Sequence, residues 1–256
     1  CDTLDSSFPN HHPDPSVESN LEMLKKAVLD NHCDFGVGFD GDGDRLGVVD
    51  GQGRYIYGDI LLAILARDFL KNHPGEKVMC EVKSSQVLFD DITKLGGVPV
   101  LWKPGHSALK SKMKSDNIKI AGETSGHMLY GENHNYDDAM FAAIKLMNYL
   151  ENHHLKLSEV FDSFPHTFAT PEKRIDVGDD RKWEIVNEIK ERLTVEGQKF
   201  VEIDGIRVNC DSGWWLVRAS NTQPDITIRC EAISEQELTK YQQKLEEQLR
   251  LSKVHI

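Results

Sequence analysis

Short apolar runs alternate with helical segments between residues 58 and 150, and this alternation restricts the fold more than any other feature of the sequence. The helical segments are 60–70, 86–95 and 107–114, followed by a longer helix after Asp137 and Asp138 on which Met140, Ala143, Ile144, Met147 and Leu150 fall at helical spacing. Strand-like runs lie between them at 78–82, 98–102 and 118–121. Strands separated by helices are typical of a mixed or parallel sheet covered by helices, so we predict an α/β layer.

Shorter patterns flank this layer on both sides. Upstream, a helical segment at 21–30 precedes two strand-like runs, 35–39 and 46–49, which an acidic loop separates. Downstream of Pro165 come strand-like runs at 174–177, 200–203, 206–208, 214–217 and 226–230, with helices at 181–193 and 235–251. Helices beside a small antiparallel sheet predict a separate α+β domain of about 90 residues.

The composition argues against several classes of partner. The chain has 30 Lys and Arg against 42 Asp and Glu, and this net charge of −12 disfavours nucleic acid and anionic lipid surfaces. No apolar run approaches the ~18 residues of a membrane span, so we expect no membrane association. The five cysteines, which begin with Cys1, are odd in number and form no C-x-x-C pair, so neither a disulfide framework nor a structural zinc site is expected. We expect a monomeric, cytoplasmic protein.

The acidic loop between the first two strand-like runs has the strongest chemical signature. Asp40, Asp42 and Asp44 alternate with glycines and are followed by Arg45. Glycine permits tight turns with positive φ, so the three carboxylates can converge on one hard divalent cation. Mg²⁺ suits such a site because it usually keeps positions open for water or phosphate.

The spacing of this loop excludes two other motifs. An EF-hand that starts at Asp40 requires Gly and Glu where the sequence has Arg45 and Gly51. A haloacid-dehalogenase motif requires a hydroxyl or small residue where Asp44 stands. The alternative that remains open is an acidic surface turn without a ligand.

A second polar segment, residues 122–127, follows the strand-like run at 118–121. It presents a carboxylate, a hydroxyl and an imidazole, from Glu123, Ser125 and His127. Such groups suit the hydroxyls of a sugar. A plain polar turn is an equally good interpretation of this segment alone.

A third segment, residues 218–224, lies between two strand-like runs. It offers a planar guanidinium, hydroxyls and an amide, from Arg218, Ser220, Asn221 and Thr222. These groups and the turn N–H groups suit a phosphate. A simple strand turn is the alternative.

Residues 101–120 are basic within this acidic chain, with five lysines against one aspartate. Lys103 and His106 stand at the start of the predicted helix 107–114, where backbone N–H groups favour anions. Lys83 follows the run at 78–82, at a strand end where α/β folds place ligands. These three residues are therefore candidates for contact with an anionic ligand.

In this order, the segments 40–45, 103–107, 122–127 and 218–224 resemble the α-D-phosphohexomutase family, and more narrowly its bacterial phosphomannomutase/phosphoglucomutase branch. The segment 8–15 (Phe-Pro-Asn-His-His-Pro-Asp-Pro) resembles the stretch before the metal loop in that branch. The resemblance spans essentially the whole chain. Pro104 and Thr124 depart from it, because the family often has Thr and Met there.

The resemblance implies four domains around one cleft and a phosphoserine on the first of them. That serine transfers its phosphoryl group to a hexose phosphate, and a hexose 1,6-bisphosphate is the intermediate. The implied metal ligands for Mg²⁺ are Asp40, Asp42 and Asp44. Arg45, Lys83 and His106 would act at the phosphoryl and proton transfers. Substrate would be bound by Lys103, Glu123, Ser125, His127, Arg218, Ser220, Asn221 and Thr222.

The resemblance also implies how the chain is divided. Residues 1–53 would be the end of domain two, 54–166 the sugar-binding domain three, and 167–256 the phosphate-binding domain four. No serine here lies in the family's Ser-His-Asn-Pro setting, so we expect the phosphoserine and the N-terminal domains outside this chain, and no turnover by the chain alone. The alternatives are a non-catalytic module that binds metal or phosphosugar, a phosphoglucosamine mutase, and a phosphatase of different fold.

Overall fold

The computed structural model describes residue 5 and residues 7–254, and it divides the chain into two units, residues 1–164 and 165–256. Cys1 lies outside the described residues. Cys33, Cys80, Cys210 and Cys230 are free thiols. Among the described helices, none has the length and apolar character needed to cross a bilayer.

The first unit begins with a small antiparallel sheet. A single 3₁₀ turn (Glu18–Leu21) and helix α1 (Glu22–Asp30) lead into strands β1 (Phe35–Phe39), β2 (Leu46–Asp50) and β3 (Tyr55–Ile56). Val37 pairs with Val48 across β1 and β2, and the acidic loop joins these two strands. Gly36 lets α1 approach β1 closely, because a Cβ there would lie 2.5 Å from Cγ2 of Val28.

A five-stranded mixed sheet forms the rest of the first unit. Its helices are α2 (Gly58–Asn72), α3 (Gln86–Lys94), α4 (His106–Asp116), α5 (Ala139–Asn152) and α6 (Leu157–Asp162). Its strands are β4 (Lys77–Glu81), β5 (Val98–Trp102), β6 (Ile120–Gly122), β7 (Met128–Tyr130) and β8 (Tyr136–Asp137). The spatial order is β5-β4-β6-β7-β8, with β4 parallel to β5 and β6 and the later pairs antiparallel. The predicted mixed α/β layer is therefore confirmed.

The main apolar core of this unit lies around helix α2. Leu61, Leu62, Ile64 and Leu65 are buried there against the sheet and α5. Helix α5 shows which part of a sequence pattern faces inward: Ala143 and Leu150 are buried, whereas Met140, Ile144 and Met147 are more than half exposed. Only part of the predicted apolar stripe is therefore core.

The parallel strands bring three loops to one edge of the sheet. Strands β4, β5 and β6 run in the same direction, so their carboxyl ends lie side by side. Lys83, Lys103 and Glu123 follow these three ends. In open α/β sheets this edge is where ligands bind.

The second unit is an α+β structure with one antiparallel sheet. Its strands are β9 (Phe168–Ala169), β10 (Lys173–Asp176), β11 (Ile206–Cys210), β12 (Gly213–Ala219) and β13 (Asp225–Ala232), and its helices are α7 (Asp179–Val195) and α8 (Glu235–Leu251). The order is β10-β13-β12-β11, with β9 beside β13. Ile185 and Ile189 of α7, and Tyr241 and Leu245 of α8, are buried in its core. The predicted small antiparallel sheet with flanking helices is confirmed.

One predicted strand is wrong. Residues 200–203 form a single bridge, from Val201 to Arg207, instead of a strand. The segment lies between Gly197 and Gly205, which both have positive φ, and its bridge is to the outer strand β11. The alternation of apolar and polar residues at 200–203 is therefore too short to form a ladder of strand hydrogen bonds.

Candidate functional site

Asp40 organises the acidic loop. Its Oδ1 accepts hydrogen bonds from the backbone N–H groups of Gly43, Asp44 and Arg45 at 3.0, 3.0 and 3.1 Å. Its Oδ2 accepts a bond from Nε of Arg45 at 2.7 Å. Gly43 has φ +78°, which lets the chain turn back toward this carboxylate. Gly43, one of the glycines that alternate with the aspartates, therefore allows the backbone to make this turn.

The surroundings of Asp40 stabilise its carboxylate in the ionised form. Burial raises the pKa of its carboxyl, but the hydrogen bonds and charge of Arg45 outweigh burial and lower the pKa to about 2. Arg45 also contacts Asp14, with 3.0 Å between Nη1 and Oδ2. Asp14 lies in the proline-containing segment before the first helix, and sequence reasoning did not assign it to the site.

The three aspartates form a donor set that suits a hard divalent ion. Asp40, Asp42 and Asp44 offer one oxygen each, with all three within 4.8 Å of one another. Asp42 is exposed. Burial and the charges of Asp40 and Asp42 raise the pKa of Asp44, against the opposing effect of His127. A cation would relieve this repulsion, so the residues fit Mg²⁺.

The acidic loop and the 122–127 loop are joined through the backbone. Leu46 N–H donates to the carbonyl of Gly126 at 3.1 Å, and Arg45 and His127 form an antiparallel bridge. Gly126 has φ +95°, and a Cβ there would lie 2.6 Å from the carbonyl oxygen of Leu46. Glycine is therefore required where the two loops meet.

Replacing Gly126 with alanine is expected to destabilise the first unit by about 3 kcal/mol, because left-handed strain adds to overlap with a carbonyl. Gly96→Ala is the matched control: Gly96 has φ +77° but open space around it, so only the backbone strain of about 1 kcal/mol applies. Amide hydrogen exchange in β2 and β4 measures this unit by itself. Equal effects of the two changes would contradict the close approach.

The predicted sugar-binding residues contact one another. Ser125 Oγ lies 2.7 Å from His127 Nδ1, and Glu123 Oε2 lies 3.3 Å from the same nitrogen. Burial and the nearby charge of Glu81 raise the pKa of Glu123, although Gly105 N–H donates to its carboxylate at 2.7 Å. The opposite nitrogen, His127 Nε2, lies 3.3 Å from Asp44 Oδ1. The two predicted groups are thus in contact.

Three further predicted residues lie on this edge of the first unit. Lys103 is exposed. Lys83 is largely buried, with its Nζ 3.5 Å from Glu81 Oε2. His106 is half-exposed at the start of α4, and its ring centroid lies 5.8 Å from that of His127.

His106 faces a carboxylate that sequence reasoning did not assign to the site. Its Nδ1 lies 3.0 Å from Oδ2 of Asp137, while Lys110 Nζ lies 2.5 Å from Oδ1. Burial raises the pKa of Asp137, but Lys110 and His106 outweigh burial and lower it. The sequence places the longer helix after both Asp137 and Asp138, yet only Asp138 caps α5, through Phe141 N–H. Two adjacent aspartates before one helix were the available signal.

Glu81 is another group that the sequence did not assign to the site. It is the last residue of β4, is buried, and accepts hydrogen bonds from the backbone and hydroxyl of Thr124 at 2.9 and 2.5 Å. A carboxylate at a buried strand end was the available signal. It ties the 122–127 loop to the strand that precedes Lys83.

Arg218, Ser220, Asn221 and Thr222 lie in the second unit, at the turn between β12 and β13. Nε of Arg218 pairs with Asp204 at 2.6 Å. This contact occupies one edge of the guanidinium and orients its terminal nitrogens. Asp204 was not assigned from the sequence.

Hydrogen bonds within the turn and from helix α7 fix the conformation of the turn. Ser220 Oγ accepts hydrogen bonds from the N–H groups of Thr222 and Gln223, at 3.4 and 3.1 Å. The buried Lys182 donates to the carbonyl of Gln223 at 2.8 Å. Asn221 and Thr222 are exposed at the tip. The turn is therefore ordered by its neighbours and presents polar groups outward.

Three models of one protein family match this chain. They are phosphoglucomutase/phosphomannomutase alpha/beta/alpha domain II at residues 2–53, alpha/beta/alpha domain III at 57–168, and the C-terminal domain at 172–248.

The chain is also similar to individual proteins. It is 40% identical to the phosphomannomutase/phosphoglucomutase of Pseudomonas syringae pv. tomato, over 93% of this chain and 52% of the relative, and 40% identical to that of Pseudomonas aeruginosa, over 96% and 54%. A crystal structure of a Burkholderia thailandensis phosphoglucomutase/phosphomannomutase family protein matches with TM-score 0.90 and 32% identity, over 98% of this chain and 54% of that chain. The chain spans about half the length of these proteins. Its fold, its ordered loops and these matches show that the chain belongs to the phosphoglucomutase/phosphomannomutase family of α-D-phosphohexomutases.

Proposed function

We propose that this chain is the metal-, sugar- and phosphate-binding part of a phosphomannomutase/phosphoglucomutase. The reaction is the interconversion of hexose 1-phosphates and 6-phosphates, with a phosphoserine outside this chain and a hexose 1,6-bisphosphate intermediate. The observation that carries the proposal is the contact between Asp44 and His127, because it joins a metal-binding loop to a sugar-binding loop. The family matches support the same reaction.

The acidic loop has the phosphoryl-transfer role in this proposal. Asp40, Asp42 and Asp44 would hold Mg²⁺, which would stabilise negative charge on the phosphoryl group. Arg45 is kept in place by Asp40 and Asp14, so its remaining N–H groups are available to a phosphoryl oxygen. Positioning and charge stabilisation account for most catalysis of this kind.

The neighbouring loops orient the hexose. Glu123, Ser125 and His127 bind sugar hydroxyls, and their mutual contacts limit the rotamers available to them. Lys83 and His106 serve proton transfer at the reacting hydroxyl, and Lys103 contributes charge. In the second unit, Arg218, Ser220, Asn221 and Thr222 bind the phosphate that is not transferred. In this proposal, residues 1–53 are the end of the metal-binding domain two. Residues 54–166 are the sugar-binding domain three, and residues 167–256 are the phosphate-binding domain four.

The test is a chimera that places the N-terminal half of the Pseudomonas aeruginosa relative before residue 1 of this chain. With Mg²⁺ and glucose 1,6-bisphosphate, we expect it to isomerise mannose or glucose phosphates, and we expect no turnover by the chain alone. ³¹P NMR follows each phosphate and also detects inorganic phosphate, the product of a phosphatase.

The control is the same chimera carrying Asp42→Asn, which retains the fold and loses a metal ligand. A folded chimera that binds Mg²⁺ but isomerises no mannose, glucose or glucosamine phosphate would refute the proposed function. Parallel assays with the three sugars determine the preferred substrate.

A further inference from the structure

Two imidazoles and two carboxylates converge beside the acidic loop. Asp44, His106, His127 and Asp137 each offer one atom, and these four atoms lie within 4.8 Å of one another. Only Asp44 belongs to the three-aspartate loop. Imidazole nitrogen suits zinc-class ions, whereas Mg²⁺ prefers oxygen. The cluster therefore has a different metal preference from the acidic loop.

Two distances within this cluster are close to those around a tetrahedral ion. Zinc bonds of about 2.1 Å at tetrahedral angles separate neighbouring ligand atoms by about 3.4 Å. Asp44 Oδ1 and His127 Nε2 are 3.3 Å apart, and His106 Nδ1 and Asp137 Oδ2 are 3.0 Å apart. Two of the pairs thus have suitable spacing, and all four atoms lie within 4.8 Å of one another.

A separate observation points to a missing ligand at Asp137. Its side chain is 8% exposed, and its buried Oδ2 forms no hydrogen bond although it lies 3.0 Å from His106. Lys110 satisfies only the other oxygen, Oδ1. A buried carboxylate oxygen without a hydrogen bond is costly, and a cation would satisfy it.

Neighbouring side chains also contact two of the proposed ligands through the polar atom that would not bind the metal. Metal-binding histidines usually hydrogen-bond through their other ring nitrogen, which fixes the ring orientation. His127 has this arrangement, because Nδ1 contacts Ser125 and Glu123 while Nε2 faces Asp44. Asp137 is supported in the same way by Lys110.

We propose that Asp44, His106, His127 and Asp137 form a second divalent-cation site, selective for zinc-class ions, beside the three-aspartate Mg²⁺ loop. The two sites share Asp44. Metal binding at this cluster can be measured directly, so the inference does not depend on the proposed mutase activity.

The test uses the metal-free chain and Co²⁺, a spectroscopic substitute for zinc. We expect one tightly bound Co²⁺ with the intense visible bands of tetrahedral coordination, displaced by Zn²⁺. His106→Ala and Asp137→Asn should each lower Zn²⁺ affinity by more than about tenfold. His106 is half-exposed, so its replacement leaves the fold intact.

Asp42→Asn is the matched control, because Asp42 belongs to the acidic loop but not to the histidine cluster. It should leave Zn²⁺ affinity nearly unchanged while weakening Mg²⁺ binding. The absence of a tetrahedral Co²⁺ spectrum would overturn the inference. So would a loss of Zn²⁺ affinity in Asp42→Asn as large as that in His106→Ala, because zinc would then occupy the acidic loop.

Discussion

Asp40→Ala is expected to destabilise the first unit by about 3 kcal/mol and to weaken Mg²⁺ binding at least about tenfold. The side chain of Asp40 is almost fully buried, and its loss leaves three loop N–H groups and one edge of Arg45 without their acceptor. Arg45 is partly exposed and keeps Asp14, so the cost falls at the lower end of the range for a broken buried pair. Hydrogen exchange in β1 and β2 and Mg²⁺ titration measure the two effects.

Asp42→Ala separates the two roles of the acidic loop. Asp42 is exposed, so its removal should change the free energy of unfolding of the first unit by no more than about 0.5 kcal/mol. It should weaken Mg²⁺ binding about as much as Asp40→Ala does. Equal destabilisation by the two changes would mean that Asp40 is not the organiser of the loop. Unchanged Mg²⁺ affinity in both variants would mean that the ion binds elsewhere.

Arg218→Ala is expected to weaken the binding of glucose 6-phosphate by about 10- to 100-fold. A hydrogen bond to a charged group contributes about 1.5–3 kcal/mol, and 1.4 kcal/mol corresponds to a factor of ten. Asp204 holds the guanidinium by Nε, so little conformational entropy is lost when phosphate binds. NMR titration that follows the amides of Asn221 and Thr222 measures this affinity even when it is weak.

Two variants sharpen the interpretation of this result. Arg218→Lys keeps the charge but loses the planar fork, so an intermediate affinity is expected. Arg174→Ala removes an exposed arginine of β10 in the same unit and should have no effect. If Arg174→Ala and Arg218→Ala weaken binding equally, the interaction is nonspecific attraction to positive charge. If neither does, the turn after β12 is not the phosphate site.

Most elements of the fold could be predicted from the sequence because their signals are local. The helix at 235–251 has the predicted bounds, and the strand at 98–102 does as well. The missed strands, β3, β7, β8 and β9, have only two or three residues, which is too few for an alternation of apolar and polar residues. Their pairing depends on neighbouring strands that are distant in sequence.

The residues of the candidate site could be predicted only in part from local sequence patterns. Aspartates alternating with glycines indicate a cation loop by themselves, because the spacing and backbone freedom lie within six residues. Asp14, Glu81, Asp137 and Asp204 carry no such pattern, and each acquires its importance from a partner brought to it by the fold. Sequence reasoning therefore selected the donor groups and missed the residues that hold them.

The sequence by itself determined most of the longer elements, the acidic loop and the family to which the chain belongs. Only the tertiary structure decided that Asp44 lies against His127, that Asp137 faces His106, and that the methionines of α5 are exposed. The reason is physical: periodicity records which residues can share a face, whereas strand order and the close approach at Gly126 decide which distant loops meet.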